Sequence, residues 1–188
     1  MKLDIEHIRG IRERAELLAS SEQVEQALER VAQAITDDLG EKNPLVLCVM
    51  KGGVIPAAML LLRLGFPLRL DYIHATRYRS GIRGGELDWV IRPRLPLAGE
   101  HLLIVDDIFD EGITLDLIVE HCRAEGAAGV HSAVIVEKLR ERSCDYYPDH
   151  VGLQLPDRYL FGAGMDYREY LRNEAGIFAV ADSDLAGH

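Results

Sequence analysis

Four carboxylates follow an apolar run in this chain, and their company suggests what they are for. Leu102 to Val105 are apolar. Then come Asp106, Asp107, two further apolar residues, Asp110, Glu111, Gly112, Ile113 and Thr114. Acids gathered at the end of a buried strand are costly, because like charges repel and desolvation disfavours the ionised form. A ligand rich in hydroxyls or cations would offset that cost. Gly112 permits a backbone conformation that other residues resist, and Thr114 begins a helix. Successive N–H groups at such a helix start cradle an anion, and the Thr114 hydroxyl adds a donor. Asp106 and Asp107 can accept hydrogen bonds from sugar hydroxyls or hold hydrated magnesium through one or two oxygens. A phosphate cradle beside acceptors for vicinal hydroxyls suits a ribose 5-phosphate. The plainer reading of Asp106 and Asp107 is a turn with a helix cap. No GxxxxGK[ST] occurs, which argues against a nucleoside-triphosphate machine.

The elements that would position these residues alternate between two periods. Apolar residues at Val24, Ala27, Leu28, Val31, Ala32, Ile35 and Leu39 have helical spacing, opened by a Ser20–Gln23 capping box and closed by Gly40. "PLVLCVM" (44–50) is a strand-length apolar run, followed by "KGG" (51–53) and a helical stretch with Pro56 in its first turn. Residues 68–75 alternate as a strand does, and residues 77–100, rich in Arg, Gly and Pro, read as a long loop. "HLLIVDD" is a third strand, a helix ends near Gly126, and 130–138 is a fourth strand. Shorter strand-like pieces follow to about residue 180. This order predicts an α/β protein with a mostly parallel sheet. Ligands of such sheets sit beyond the carboxyl ends of the strands. Lys51, Asp106 through Thr114 and Lys138 all fall at that end.

Composition narrows the class. One domain accounts for 188 residues, and 48% apolar content is ample for its core. A net charge of -10 argues against a general nucleic-acid surface, and no run reaches the roughly 18 apolar residues of a membrane span. The charged start "MKLDIEHIRG" does not read as a secretory leader, and Cys48, Cys122 and Cys144 lack CxxC spacing. A reducing cytoplasm is the expected compartment.

"LLIVDDIFDEGITL" (102–115) resembles the phosphoribosyl-pyrophosphate signature of the type I phosphoribosyltransferases: an apolar strand, two acids, two apolars, Asp, a variable residue, Gly, another variable residue and Thr. Three further stretches resemble the hypoxanthine-guanine branch of that family. They are "VMKGG" (49–53), "VIVEK" (134–138) and "LPDRYLFGAGMDYREYLR" (155–172), and the resemblance spans about residues 45–180. It implies the type I phosphoribosyltransferase fold, a mostly parallel sheet flanked by helices. A core at about 22–140 would carry a small hood built from about 1–20 and 150–180.

The resemblance also implies roles. Lys51, Gly52, Asp106, Asp107, Asp110, Glu111, Gly112, Ile113, Thr114 and Arg172 would hold phosphoribosyl pyrophosphate, with a cis peptide bond before Lys51. Asp106, Asp107 and Asp166 would serve Mg²⁺. Lys138 would meet the purine's six-position oxygen, Tyr159 would stack on the base, and Leu160 and Asp166 would meet its edge. Asp110 is the candidate general base or acid at the purine's imidazole nitrogen. Outside the resemblance, Asp110 reads as a helix N-cap and Lys138 as a solvated charge. The sequence departs from the pattern in three places. Arg77 stands before Tyr78 where a mobile loop usually has Ser-Tyr, and Glu111 and Ile113 fill slots that many relatives give to Thr and Lys. The expected activity is purine salvage, making IMP or GMP from hypoxanthine or guanine, by a homodimer or homotetramer. The alternatives are a xanthine-preferring relative and a catalytically silent regulator that senses the donor or a nucleotide.

Overall fold

The computed structural model describes residues 3–77, 87–142 and 144–185. In chain order the elements are α1 (Ile5–Arg14), β1 (Glu16–Ala19), α2 (Ser21–Leu39), β2 (Leu45–Val49), α3 (Val54–Leu61), β3 (Arg69–Arg77), β4 (Leu87–Ile91), β5 (His101–Phe109), α4 (Ile113–Ala124), β6 (Gly129–Leu139), β7 (His150–Pro156), β8 (Leu160–Phe161), β9 (Ile177–Ala179) and α5 (Asp182–Leu185).

Six strands form the main sheet in the order β4-β3-β2-β5-β6-β7. All neighbours are parallel except β3 and β4. All five residues of β2 are buried, as expected of a strand covered on both faces. Alternation still sorts its side chains. Val46 and Cys48 join Leu103 and Val105 under α2 and α3, whereas Leu45, Leu47 and Val49 join Leu102 and Ile104 under α4. On α2 the seven apolar residues at helical spacing are the seven that are buried. Its first turn is held by the Ser20 capping box, with Ser20 Oγ accepting from Gln23 N at 3.3 Å and Gln23 Oε1 accepting from Ser20 N at 2.8 Å.

After β2 the chain moves outward to β3 and β4, then returns to the other side of β2 as β5. The β2/β5 seam is therefore the point where strand order reverses, and a crevice opens beyond its carboxyl ends. Above that end stands a second sheet, β1-β9-β8, which is antiparallel. It has its own apolar cluster of Ile8, Ile11, Phe161, Tyr167, Phe178 and Val180.

Two boundaries differ from the sequence reading. Residues 77–100 contain β4, an edge strand paired on one side only; Asp88, Val90 and Ile91 are exposed, so no buried period betrays it. Residues 150–156 belong to the main sheet as β7 and not to the hood, because β7 extends the parallel ladder of β6. No helix among the described residues is long and apolar enough to cross a membrane.

Candidate active site

The strand ends at the β2/β5 seam carry many of the residues singled out from the sequence. β2 runs into the turn 50–53, whose Met50–Lys51 peptide bond is cis. A side chain at residue 52 would displace the Asp107 carboxylate: a Cβ on Gly52 would lie 2.0 Å from Asp107 Oδ2. That close approach brings the Lys-Gly backbone against the acidic end of β5. At that end Asp106 Oδ1 accepts from Asp107 N at 2.9 Å, and Asp107 Oδ1 accepts from Ile108 N at 2.9 Å. Burial, then the Asp107 charge, pushes the Asp106 carboxyl well above its ordinary range. Burial also raises Asp107, against the hydrogen bond with Asp106 and the guanidinium of Arg172. Two adjacent acids so placed are poorly compensated by the protein alone. Their hard oxygen donors suit a divalent cation such as Mg²⁺.

Asp110 lies four residues on and has the opposite problem solved. Its Oδ2 accepts from Lys138 Nζ at 2.8 Å and its Oδ1 from Arg140 Nη1 at 2.7 Å. Burial would raise its carboxyl, but these two cations outweigh burial and hold it below the usual range. Lys138 is itself buried, at 8% exposure, with Asp157 Oδ1 a second partner at 3.5 Å. The expectation of a solvated Lys138 is therefore overturned, because Asp110 and Asp157 hold its ammonium inside. Next, Gly112 takes φ +82 and caps α4. A Cβ there would meet Cys144 Sγ at 2.5 Å and the Phe109 ring at 2.6 Å, so this tight turn excludes a side chain twice over. With no side-chain cap, the first N–H groups of α4 remain available to an anion.

From the hood, Arg172 reaches down to this end. Its Nη2 bonds Asp166 Oδ1 at 2.6 Å, its Nη1 donates to Gly164 O at 2.8 Å, and Asp107 Oδ2 lies 4.0 Å away. Two adjoining clefts result. The larger, of about 470 Å³, is lined by Gly52, Asp106 to Leu115, Asp166 and Arg172 among others. The smaller, of about 220 Å³, is lined by Asp107, Ile108, Asp110, Lys138, Tyr159, Leu160, Met165 and Asp166. Asp107, Ile108, Asp110 and Asp166 line both.

The chain and its fold are similar to those of known proteins. Residues 15–169 match the phosphoribosyl transferase domain family. The chain belongs to that family. It is 33% identical over 165 residues to a hypoxanthine-guanine phosphoribosyltransferase of Crithidia fasciculata, covering 82% of this chain and 79% of that one. A second protein of that name, from Bacillus subtilis, is 29% identical over 174 residues, 92% of each chain. The fold matches the crystal structure of a hypoxanthine phosphoribosyltransferase from Staphylococcus aureus with a TM-score of 0.86 at 22% identity, over 97% of this chain and 98% of that one.

Within this phosphoribosyl transferase domain, most residues singled out from the sequence converge on the two clefts. Lys51 does not line them among the described residues. Its Nζ bonds Glu169 Oε2 of the hood at 2.5 Å, a partner the sequence reading did not foresee. Tyr78 and the Arg77 side chain lie outside the described residues. Sequence reasoning also missed Arg140, Asp157 and Arg142. Arg142 is the most consequential: it donates to Asp110 O at 2.8 Å, Phe109 O at 3.3 Å and Lys138 O, and pairs with Glu137. Spacing carries no signal for it, because the chain must first turn back after β6.

Proposed function

We propose that this chain transfers the 5-phosphoribosyl group from phosphoribosyl pyrophosphate to hypoxanthine or guanine, giving IMP or GMP and pyrophosphate. The observation that carries this reading is the pair of clefts sharing Asp107, Ile108, Asp110 and Asp166. One offers a phosphate cradle and sugar acceptors, the other a buried ammonium and an aromatic face. The activities named for the curated relatives are in keeping with it.

In this reading the donor's 5-phosphate rests on the 110–114 turn, where Glu111, Ile113 and Thr114 present backbone N–H groups. Its ribose hydroxyls bond Asp106 and Asp107. The pyrophosphate faces Gly52, Lys51 and Arg172, with Lys51 leaving Glu169 to do so. The base enters between Lys138 and Tyr159, with Leu160 at its edge. As the bond from C1 of the ribose to pyrophosphate breaks and the bond to the purine nitrogen forms, positive charge builds on the sugar and negative charge on the leaving group. Lys51 and Arg172 offset the latter. Mg²⁺, served by Asp106, Asp107 and Asp166, supplies further positive charge there when bound.

Asp110 takes the proton that the purine's imidazole nitrogen gives up. A six-position oxygen that draws Lys138 away removes one of the two cations holding Asp110 ionised, so the base itself raises the proton affinity of the group that must accept its proton. An amino group at that position would leave Lys138 facing a donor, which disfavours adenine. The oligomer proposed is a homodimer or homotetramer, read by light scattering. The compartment proposed is the cytoplasm, where the three free cysteines would stay reduced.

The test is steady-state turnover of hypoxanthine, guanine, xanthine and adenine with phosphoribosyl pyrophosphate and Mg²⁺, beside Asp110→Asn. Hypoxanthine and guanine should turn over, and Asp110→Asn should cut kcat by about 10²-fold or more. No turnover of any base while the donor still binds would overturn the transferase reading in favour of a sensor.

A further inference from the structure

At the opposite end of the sheet from the clefts, two histidines and a carboxylate meet. His131 is the third residue of β6, His150 opens β7, and Asp38 sits in the last turn of α2. Alternation places both rings on one face. Ala133 and Ile135 pack with the α2 cluster, so His131, two residues before Ala133, shares their side of the sheet. His150 is registered opposite Ala133 and points the same way. The two rings stack with centroids 6.2 Å apart and planes 15° from parallel. His150 Nε2 lies 3.6 Å from Asp38 Oδ2. One donor atom from each of the three residues lies within 4.8 Å of the other two.

Two of these nitrogens lack a hydrogen-bond partner. His150 is 5% exposed, yet its Nε2 has none, and neither does the buried Nδ1 of His131. A buried polar atom left this way calls for an explanation. The neighbouring Asp149 is turned to Ser132 instead, its Oδ2 accepting from Ser132 N at 2.8 Å. Two imidazoles and one carboxylate suit a borderline-soft transition ion, not the all-oxygen preference of Mg²⁺ or Ca²⁺. Zinc bonds of about 2.0–2.1 Å at tetrahedral angles hold ligand atoms roughly 3.4 Å apart, so the carboxylate-to-His150 distance needs only a small adjustment.

We propose that Asp38, His131 and His150 bind a divalent transition cation of the zinc type, clamping the end of α2 to β6 and β7. Water completes the coordination. His131 is seven residues from Lys138 along β6, about 23 Å of strand, so the ion is remote from the clefts and its role is structural.

The test uses chelator-treated full-length protein, held in excess Mg²⁺ so that the acids of the clefts are occupied. Zn²⁺ alone is titrated by calorimetry, and Co²⁺ gives a second reading through its visible absorption in a low-symmetry nitrogen-oxygen site. Wild type should bind one equivalent of Zn²⁺, and Tm should rise by about 5–10 °C at roughly 100 times the Kd. Asp38→Asn and His131→Gln should each weaken binding at least about tenfold, the scale seen when a ligand loses even its supporting partner. The Asp38 side chain is 52% exposed, so Asp38→Asn should fold and keep its turnover. No one-equivalent binding by wild type would overturn the site. Binding that both variants leave unchanged would do the same, since the ion would then reside elsewhere.

Discussion

Arg142→Met removes a guanidinium that joins the two groups proposed to handle the base, and its cost can be worked out from its surroundings. The Arg142 side chain is 4% exposed and its partner Glu137 10%, with Nη1 3.1 Å from Glu137 Oε1. Its guanidinium carbon lies 4.5 Å from the Phe109 ring centroid, a packing that the methionine stem largely preserves. What is lost is charge and hydrogen bonding. Glu137 would keep only the amide of Gln154, at 2.9 Å, and breaking one side of a buried pair costs about 3–5 kcal/mol. The carbonyls of Phe109, Asp110 and Lys138 lose their shared donor as well, but these losses overlap with the first and do not simply add. At about 2–4 °C per kcal/mol for a domain of this size, Tm should fall by about 6–20 °C. Turnover should fall too, because Arg142 fixes Asp110 relative to Lys138, and a misplacement near 1 Å can cost about 10²-fold. Adding Glu137→Met to Arg142→Met should recover much of the stability, since removing both members of a buried pair costs far less than removing one, yet leave kcat/KM low. Thermal unfolding and steady-state kinetics on the three variants read both effects. If Arg142→Met melts within a degree or two of wild type, or if the double variant melts lower than the single one, the reasoning fails.

Gly112→Ala should cost about 1–3 kcal/mol from its positive φ alone, and more from the contacts with Cys144 and Phe109; unfolding measurements read the loss, and the KM for the donor should rise. Asp106→Asn should stabilise the metal-free protein at neutral pH. The raised carboxyl of Asp106 contributes stability that is complete below the unfolded pKa of about 3.9 and is lost as pH rises through the folded value, so replacing it removes that loss. The fall in Tm as pH rises above the unfolded value of about 3.9 should therefore be smaller in the variant; an identical fall counts against the burial argument. Lys138→Gln should move the acid limb of the pH–rate profile upward, because Asp110 loses the stronger of its two cationic partners, and should reduce kcat/KM for hypoxanthine more than for adenine. An unmoved acid limb would detach Lys138 from Asp110.

The central strands were legible because each is a continuous apolar run, and a run bounded by charge or glycine has few alternatives in an α/β chain. The carboxyl-end rule then pointed at Lys51, Asp106 to Thr114 and Lys138 without further help. Legibility failed where the signal depends on a partner. β4 has one paired edge and mostly exposed side chains, and β7 begins with His150 and reads no differently from a hood strand until its ladder with β6 is seen. Burial of Lys138 and Arg142 was invisible for the same reason: long cations are mostly exposed, and only the fold supplies the carboxylates and carbonyls that hold these two inside. His131 and His150, 19 residues apart, share a face only because β6 and β7 are neighbours in register.

Three acids within five residues, shifted in opposite directions, explain why this strand end is built as it is. Asp106 and Asp107 are raised by burial and depend on a cation that the protein does not fully provide; Asp110 is lowered by Lys138 and Arg140 and has more cation than it needs. Titratable neighbours pushed apart in this way mark a division of labour. Each imbalance is relieved by a different ligand. In the proposed function, a divalent cation bound with the donor would bring positive charge to Asp106 and Asp107, whereas an oxopurine would draw Lys138 from Asp110. In the proposed reaction, Asp110 would gain proton affinity once the base has drawn Lys138 away, which would tie the one proton transfer to the presence of a six-position oxygen.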